Sequence, residues 1–199
     1  MEEVITKESV EELMRIDGRV RGIALKSHAS FIVKGEGKEG LQRLTDFMAE
    51  LGCPVDYKNI GTWKFYPVAI EAVELLAIRQ LFNYEDKKFE ELGAFGAAFS
   101  IVMKIFLQHF VSISILASQA SQIWRRYYTI GDLKVKELNE NERYVILLLE
   151  NFLLHRLHCF HVKGFLAHTV KMAVGKEVTC EERKCPSRGD PVHEFLIKW

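Results

Sequence analysis

The chain has 199 residues, with 27 Lys+Arg against 27 Asp+Glu and 48% hydrophobic content. Balanced charge leaves no cationic surplus for a phosphate backbone, which argues against nucleic acid as a partner. A composition 27% charged and 11% aromatic excludes a disordered chain and is ample for a buried core.

Four cysteines and no leader-like stretch after Met1 fit a cytoplasmic, reducing setting, where thiols serve as core filler or metal ligands. The longest charge-free stretch, 105–123, carries Gln108, His109, Ser112, Ser114, Ser118, Gln119, Ser121 and Gln122. That is too many polar groups for a membrane span.

In chain order, 7–16 sets Val10, Leu13, Met14 and Ile16 at near-helical spacing with acids early, predicting an amphipathic helix. Residues 38–51 repeat the pattern and stop at Gly52 and Pro54. Pro67 opens a third helix over 68–82. A long helix is expected over 85–108, where Gly93, Ala94, Gly96, Ala97 and Ala98 leave room for a second backbone, from this chain or a dimer partner. A further helix is expected over 113–124.

The period then changes. Leu133 and Val135 alternate with lysines, and a turn-prone 139–142 precedes Tyr144 to Glu150, which reads as a hairpin, although the leucine run also suits a buried helix. A helix over 161–173 ends at Gly175, and strands 177–183 and 192–199 flank the loop 184–191. The expected fold is α+β: an N-terminal helical region, 1–84, packed on the antiparallel sheet of 85–199 as one compact domain.

Cys185 and His193 stand at the two ends of that last loop, so antiparallel pairing brings a thiolate and an imidazole together at small entropic cost. With Cys159 ahead of the preceding helix, they make three ligands of a tetrahedral zinc site, and Glu137 or Glu140 near the hairpin turn is a candidate fourth. The alternative is that the cysteines are apolar filler and His193 a surface residue. His155, His158 and His161, with His168 one helix face further on, are candidates for a metal or for an axial haem ligand. A Cys180–Cys185 disulfide is disfavoured by the compartment. Hydrolase, phosphate-loop and metalloprotease motifs are missing from the sequence. Phe95, Phe99, Met103 and Phe106, with Trp124, Tyr127, Tyr128 and Phe165, either line an apolar pocket or form plain core.

Several stretches resemble the 4-vinyl reductase domain family, related to TRAPP subunits. These are 91–96 (ELGAFG), 124–131 (WRRYYTIG), 159–167 (CFHVKGFLA), 175–185 (GKEVTCEERKC) and 189–195 (GDPVHEF). The resemblance covers roughly residues 90–199 and implies a TRAPP-like ligand-binding fold that encloses a small hydrophobic or aromatic molecule beside a structural zinc. It places the family's cysteine ligands on Cys159 and Cys185, its Glu-x-x-Cys on Glu182 and Cys185, and a histidine, His193, where the family has cysteine. The leading expectation is therefore a non-enzymatic cytoplasmic sensor, a homodimer that passes its signal to a partner protein. One alternative is a tetrapyrrole vinyl reductase, accessory factor or haem binder, although the sequence carries no nicotinamide or flavin fingerprint. The other is a dimeric TRAPP-like scaffold.

Overall fold

The computed structural model describes residues 5–100 and 112–199. Helix α1 (Lys7–Met14) starts at a capping box: Thr6 Oγ1 accepts from the Ser9 amide at 3.2 Å, and Ser9 Oγ accepts from the Thr6 amide at 2.9 Å. Strand β1 (Arg19–Arg21) pairs antiparallel with β2 (Phe65–Pro67). Between them runs α2 (Gly22–Glu50), two helical segments joined at Gly37, whose φ of 74° suits a residue without a Cβ. The periodicity of 38–51 found only its second half. The first half carries Ser27 and His28 on its buried side and shows no clean apolar stripe.

Helix α3 (Val68–Phe82) begins directly after Pro67, as expected. Helix α4 (Asp86–Phe99) is shorter than the predicted 85–108: it ends at Ser100, and the rest of that prediction, with Met103 and Phe106, lies outside the described residues. The predicted helix over 113–124 is two short ones, α5 (Ile113–Ser118) and α6 (Ala120–Arg125), broken at Gln119.

The remaining elements are β3 (Asp132–Asn139), β4 (Tyr144–Glu150), α7 (Arg156–Val174), β5 (Thr179–Lys184) and β6 (His193–Lys198). The leucine run at 144–150 is a strand. Val145 and Leu147 face Ile197 and Phe195 across the ladder and are buried at period two, a pattern that a helix would scatter around its surface. The four strands form an antiparallel sheet in the order β3-β4-β6-β5. Helix α7 starts five residues earlier than predicted, so Cys159 lies in its first turns.

Helix α7 packs on α4 and on the sheet. A Cβ on Gly93 would lie 1.9 Å from the His161 carbonyl oxygen, and one on Gly164 would lie 1.9 Å from that of Glu90. The small residues of α4 thus admit α7 of the same chain. One apolar core (Leu25, Ile32, Leu44, Met48, Leu75, Phe89) lies among the N-terminal helices. A second (Val20, Trp124, Leu147, Leu149, Phe195, Ile197) lies under the sheet, and α7 contributes to both. Among the described residues, no helix is long and apolar enough to cross a membrane.

Candidate functional site

The loop after β5 closes through a 3-10 turn, Pro186–Arg188, and Gly189 at φ 91°. The Cys185 amide donates to Asp190 Oδ2 at 2.8 Å. Closure places Cys185 beside Cys159, with Sγ to Sγ 3.1 Å, and both are free thiols. His193 opens β6, and Glu182 lies on the neighbouring strand. Ligand atoms of Cys159, Glu182, Cys185 and His193 all fall within 4.8 Å of one another, with three of the four residues buried.

The imidazole's orientation is set by its outer partner. A carbonyl can only accept, so the 2.9 Å contact of His193 Nε2 with Phe152 O puts the proton on Nε2. Nδ1 then faces Glu182 Oε1 at 2.8 Å. A neutral ring at that distance sets a lone pair against a carboxylate, an arrangement that a shared cation or an added proton relieves. Two soft sulfurs, one nitrogen and one oxygen suit tetrahedral zinc. Burial first, and then the Cys185 thiol, push the Cys159 thiol well above the ordinary thiol range, so ligation there must displace a proton.

The structure places Cys159, Cys185 and His193 together, as ligand atoms within 4.8 Å of one another. Neither upstream glutamate joins them: Glu137 accepts from the Tyr144 hydroxyl and Glu140 from the Ser114 hydroxyl, both at the exposed hairpin end. The sheet order puts β6 and β5 on the far side of β4 from the β3 chain, and so supplies Glu182 instead. Cys180 is free, half-buried and outside the cluster. His155 caps α7, accepting from the Leu157 amide at 3.2 Å.

Of the predicted pocket residues, Trp124, Tyr128 and Phe165 come together, joined by Tyr127, Ile23, Ala24, Ser27, Gly96, Val162 and His161, around a narrow, largely apolar recess with a cavity volume of only about 20 Å³. Trp124 stacks on Tyr128 with ring centroids 4.7 Å apart and donates its indole N–H to Ile130 O at 2.9 Å. A second apolar recess, about 40 Å³, shares Trp124 and Phe165 as a common wall. Phe95 and Phe99 stack on each other elsewhere: Phe95 packs on Phe31, and Phe99 is 37% exposed. They line neither recess, because α4 turns its glycine face to α7 and that stripe outward. Phe152 joins the two regions: its ring packs edge-on against Trp124 (5.1 Å) and Tyr128 (5.3 Å), while its carbonyl holds His193.

A third feature is half legible in the sequence, which offers His158 and His161 as metal or haem ligands but not His28, Glu71 or Glu74. His28 of α2, Glu71 and Glu74 of α3, and His158 and His161 of α7 meet in the interior, each at most 4% exposed. His28 Nδ1 lies 2.6 Å from Glu74 Oε2, and its Nε2 lies 3.0 Å from His161 Nε2. The Tyr128 hydroxyl donates to Glu71 Oε1 at 3.0 Å. Burial opposes ionisation of Glu71, yet His158, whose Nε2 stands 3.5 Å from Oε2, and then the charges of His161 and His28 hold its carboxyl down at about 2. Burial and the His28 charge lower His161 to about 3. Burial also works against His28, but Glu74 and then Glu71 raise its pKa above the ordinary range. The available signal was two acids three residues apart in an otherwise apolar helix, VAIEAVELLAI.

No family model matches the chain, and no curated protein matches it in sequence. Solved structures of H-NOX proteins do match it in fold. One from S. oneidensis, in the Fe(II)NO ligation state, is 15% identical with a TM-score of 0.68, covering 89% of this chain and 98% of the other. The NMR structure of the Shewanella oneidensis SO2144 H-NOX domain in the Fe(II)CO state is 16% identical with a TM-score of 0.68, covering 89% and 97%. A third, from work on modulating haem redox potential through porphyrin distortion, is 10% identical with a TM-score of 0.62, covering 90% and 94%.

The α+β architecture expected from sequence therefore stands, as the H-NOX fold. The assignment to the 4-vinyl reductase family is corrected: the structural neighbours are H-NOX proteins, and no family model supports it. Parts of the stretches that suggested it have local structural causes. Gly93 and Gly164 serve the α4–α7 approach, and Cys159, Glu182 and Cys185 meet where the loop after β5 closes.

Proposed function

We propose that the chain is a sensor domain. Its aromatic recess takes a small apolar or gaseous molecule, and a structural zinc at Cys159, Glu182, Cys185 and His193 clamps the terminal hairpin to α7. The observation that carries this reading is Phe152, which faces the recess wall with its ring and the metal cluster with its carbonyl. A ligand that moves Trp124 and Tyr128 shifts Phe152, and the zinc clip turns that shift into movement of the β5–β6 hairpin. A partner protein, or a second copy of this chain, would read the movement. Free, buried thiols fit a cytoplasmic setting.

The names of the fold neighbours favour haem over zinc as the group that does the sensing, and this is the second reading. The residues present fit it in their chemistry in two respects, while the recess, about 20 Å³ as it stands, would have to open to admit a macrocycle. Trp124, Tyr127, Tyr128 and Phe165 offer flat walls to a macrocycle, and His161 puts an imidazole on the same wall, its Nδ1 buried without a hydrogen-bond partner. Haem would supply an iron that binds a diatomic gas. This chain would contribute the walls, the nitrogen and the exclusion of water.

Titration with haemin and, separately, with a monocyclic aromatic tests both readings. A Soret shift at one haemin per chain, lost in His161→Ala, supports haem. Saturable aromatic binding without a haemin complex supports the cofactor-free sensor. Binding of neither removes the sensor function.

A further inference from the structure

We propose that His28, Glu71 and His161 bind a divalent transition-metal ion, with Glu74 orienting His28, at a centre separate from the cysteine cluster.

One ligand atom from each of the three lies within 4.8 Å of the others, and all three residues are buried. The 3.0 Å separation of the His28 and His161 Nε2 atoms suits two ligands of one ion, because nitrogens about 2.1 Å from an octahedral metal stand roughly 3.0 Å apart at adjacent positions. Glu71 Oε1 completes the set at 3.9 Å from His28 Nε2. Two histidines and one carboxylate on a shared face are the donor set that holds iron(II) and related ions with positions left open.

The surroundings are those of a ligand shell. His28 gives its Nδ1–H to Glu74 at 2.6 Å, which fixes the ring and leaves Nε2 for the ion. Tyr128 donates to Glu71 and orients the carboxylate. His158 Nε2 stands 3.5 Å from Glu71 Oε2 and is a reserve ligand.

The second, independent observation is unsatisfied polarity. Glu71 Oε2, Glu74 Oε1, His161 Nδ1 and both nitrogens of His158 are buried with no hydrogen-bond partner among the described residues. Buried polar atoms without partners are uncommon. The proposed ligand atoms themselves are paired, but Glu71 Oε2 is free to join Oε1 on the ion and His158 Nε2 to turn toward it. The cluster thus has spare donors for an occupant. Two buried carboxylates beside three imidazoles suit a cation. The ion would sit where the His28–His161 contact now holds a proton. His161 also lines the aromatic recess, so a ligand held there lies one side chain from the metal.

The inference does not rest on the sensor reading, and it uses Nε2 of His161, whereas haem would use Nδ1. Metal-depleted full-length protein is titrated with cobalt(II) and iron(II) under anaerobic conditions, and bound metal is counted. The proposal expects two ions per chain in the wild type and one in the Cys159→Ser, Cys185→Ser double variant. It also expects one in His28→Gln, with the thiolate-to-cobalt charge-transfer band retained as proof that the tail is still folded. X-ray absorption of the ion left in the double variant should show nitrogen and oxygen neighbours without sulfur. A single ion in the wild type that disappears in the double variant overturns the proposal. So does a count in folded His28→Gln that equals the wild-type count, which would leave the interior cluster to water.

Discussion

His193 gives its Nε2 proton to the Phe152 carbonyl at 2.9 Å and so turns Nδ1 toward Glu182, 2.8 Å away. That bond fixes which nitrogen can meet a metal, and it ties the end of the sheet to the aromatic ring that backs the recess. Substituting the ligands therefore affects more than the tail.

Cys185→Ser removes one sulfur from the cluster. Structural metal binding is folding free energy, so the variant should lose zinc and about 2 kcal/mol or more of stability. In a chain of this size that is a fall in Tm of roughly 4–8 °C. Metal analysis and a thermal melt, each with and without a chelator, check this. A chelator should lower the wild-type Tm by more than it lowers that of the variant, which lacks the cysteine-bound ion.

Gly93→Ala puts a methyl 1.9 Å from the His161 carbonyl oxygen, which belongs to a helix backbone that cannot move aside alone. We expect a loss on the order of 3 kcal/mol, read from the urea midpoint, because α4 and α7 must separate along their length. Gly52→Ala meets no atom within 4 Å and is strained only by its φ of 81°, so it should cost less.

The metal-free protein should weaken in acid in two stages. The folded state holds His161 at about 3, below its unfolded value near 6.5, so the unfolded chain binds more protons and stability falls as pH drops below about 6.5. Glu71, held at about 2, contributes stability that is present above its unfolded pKa near 4.5 and is lost as pH falls toward 2. Equilibrium urea unfolding from pH 7 to pH 2.5 checks both. His161→Leu should flatten the first stage and leave a smaller second stage, because His158 and His28 still hold Glu71 down.

The legible parts of the molecule are those whose signal is local. Helix α3 and the Cys185–His193 loop declare themselves within fifteen residues, through Pro67 and a loop that must close, whereas the consecutive leucines of 144–150 leave strand and buried helix open. Glu182 is harder, because choosing it over Glu137 or Glu140 requires knowing that β6 lies between β4 and β5. The interior cluster is harder still: His158 and His161 stand out in the sequence as candidate ligands, but His28 is 133 positions from His161 and reads alone as an ordinary core histidine. The family likeness went astray because short glycine and cysteine motifs answer to local packing and loop closure, which different families can share.

The claim on which the rest depends is that the recess bounded by Trp124, Tyr128 and Phe165 accepts a ligand. Phe165→Trp fills that space with a larger ring at a modest packing cost, roughly 1–3 kcal/mol. Isothermal titration of wild type and Phe165→Trp with haemin and with a monocyclic aromatic is the most direct measurement. The account predicts saturable binding of one of them at one per chain, weakened at least tenfold by Phe165→Trp. Saturable binding of neither, or binding that a folded Phe165→Trp leaves unchanged, contradicts it.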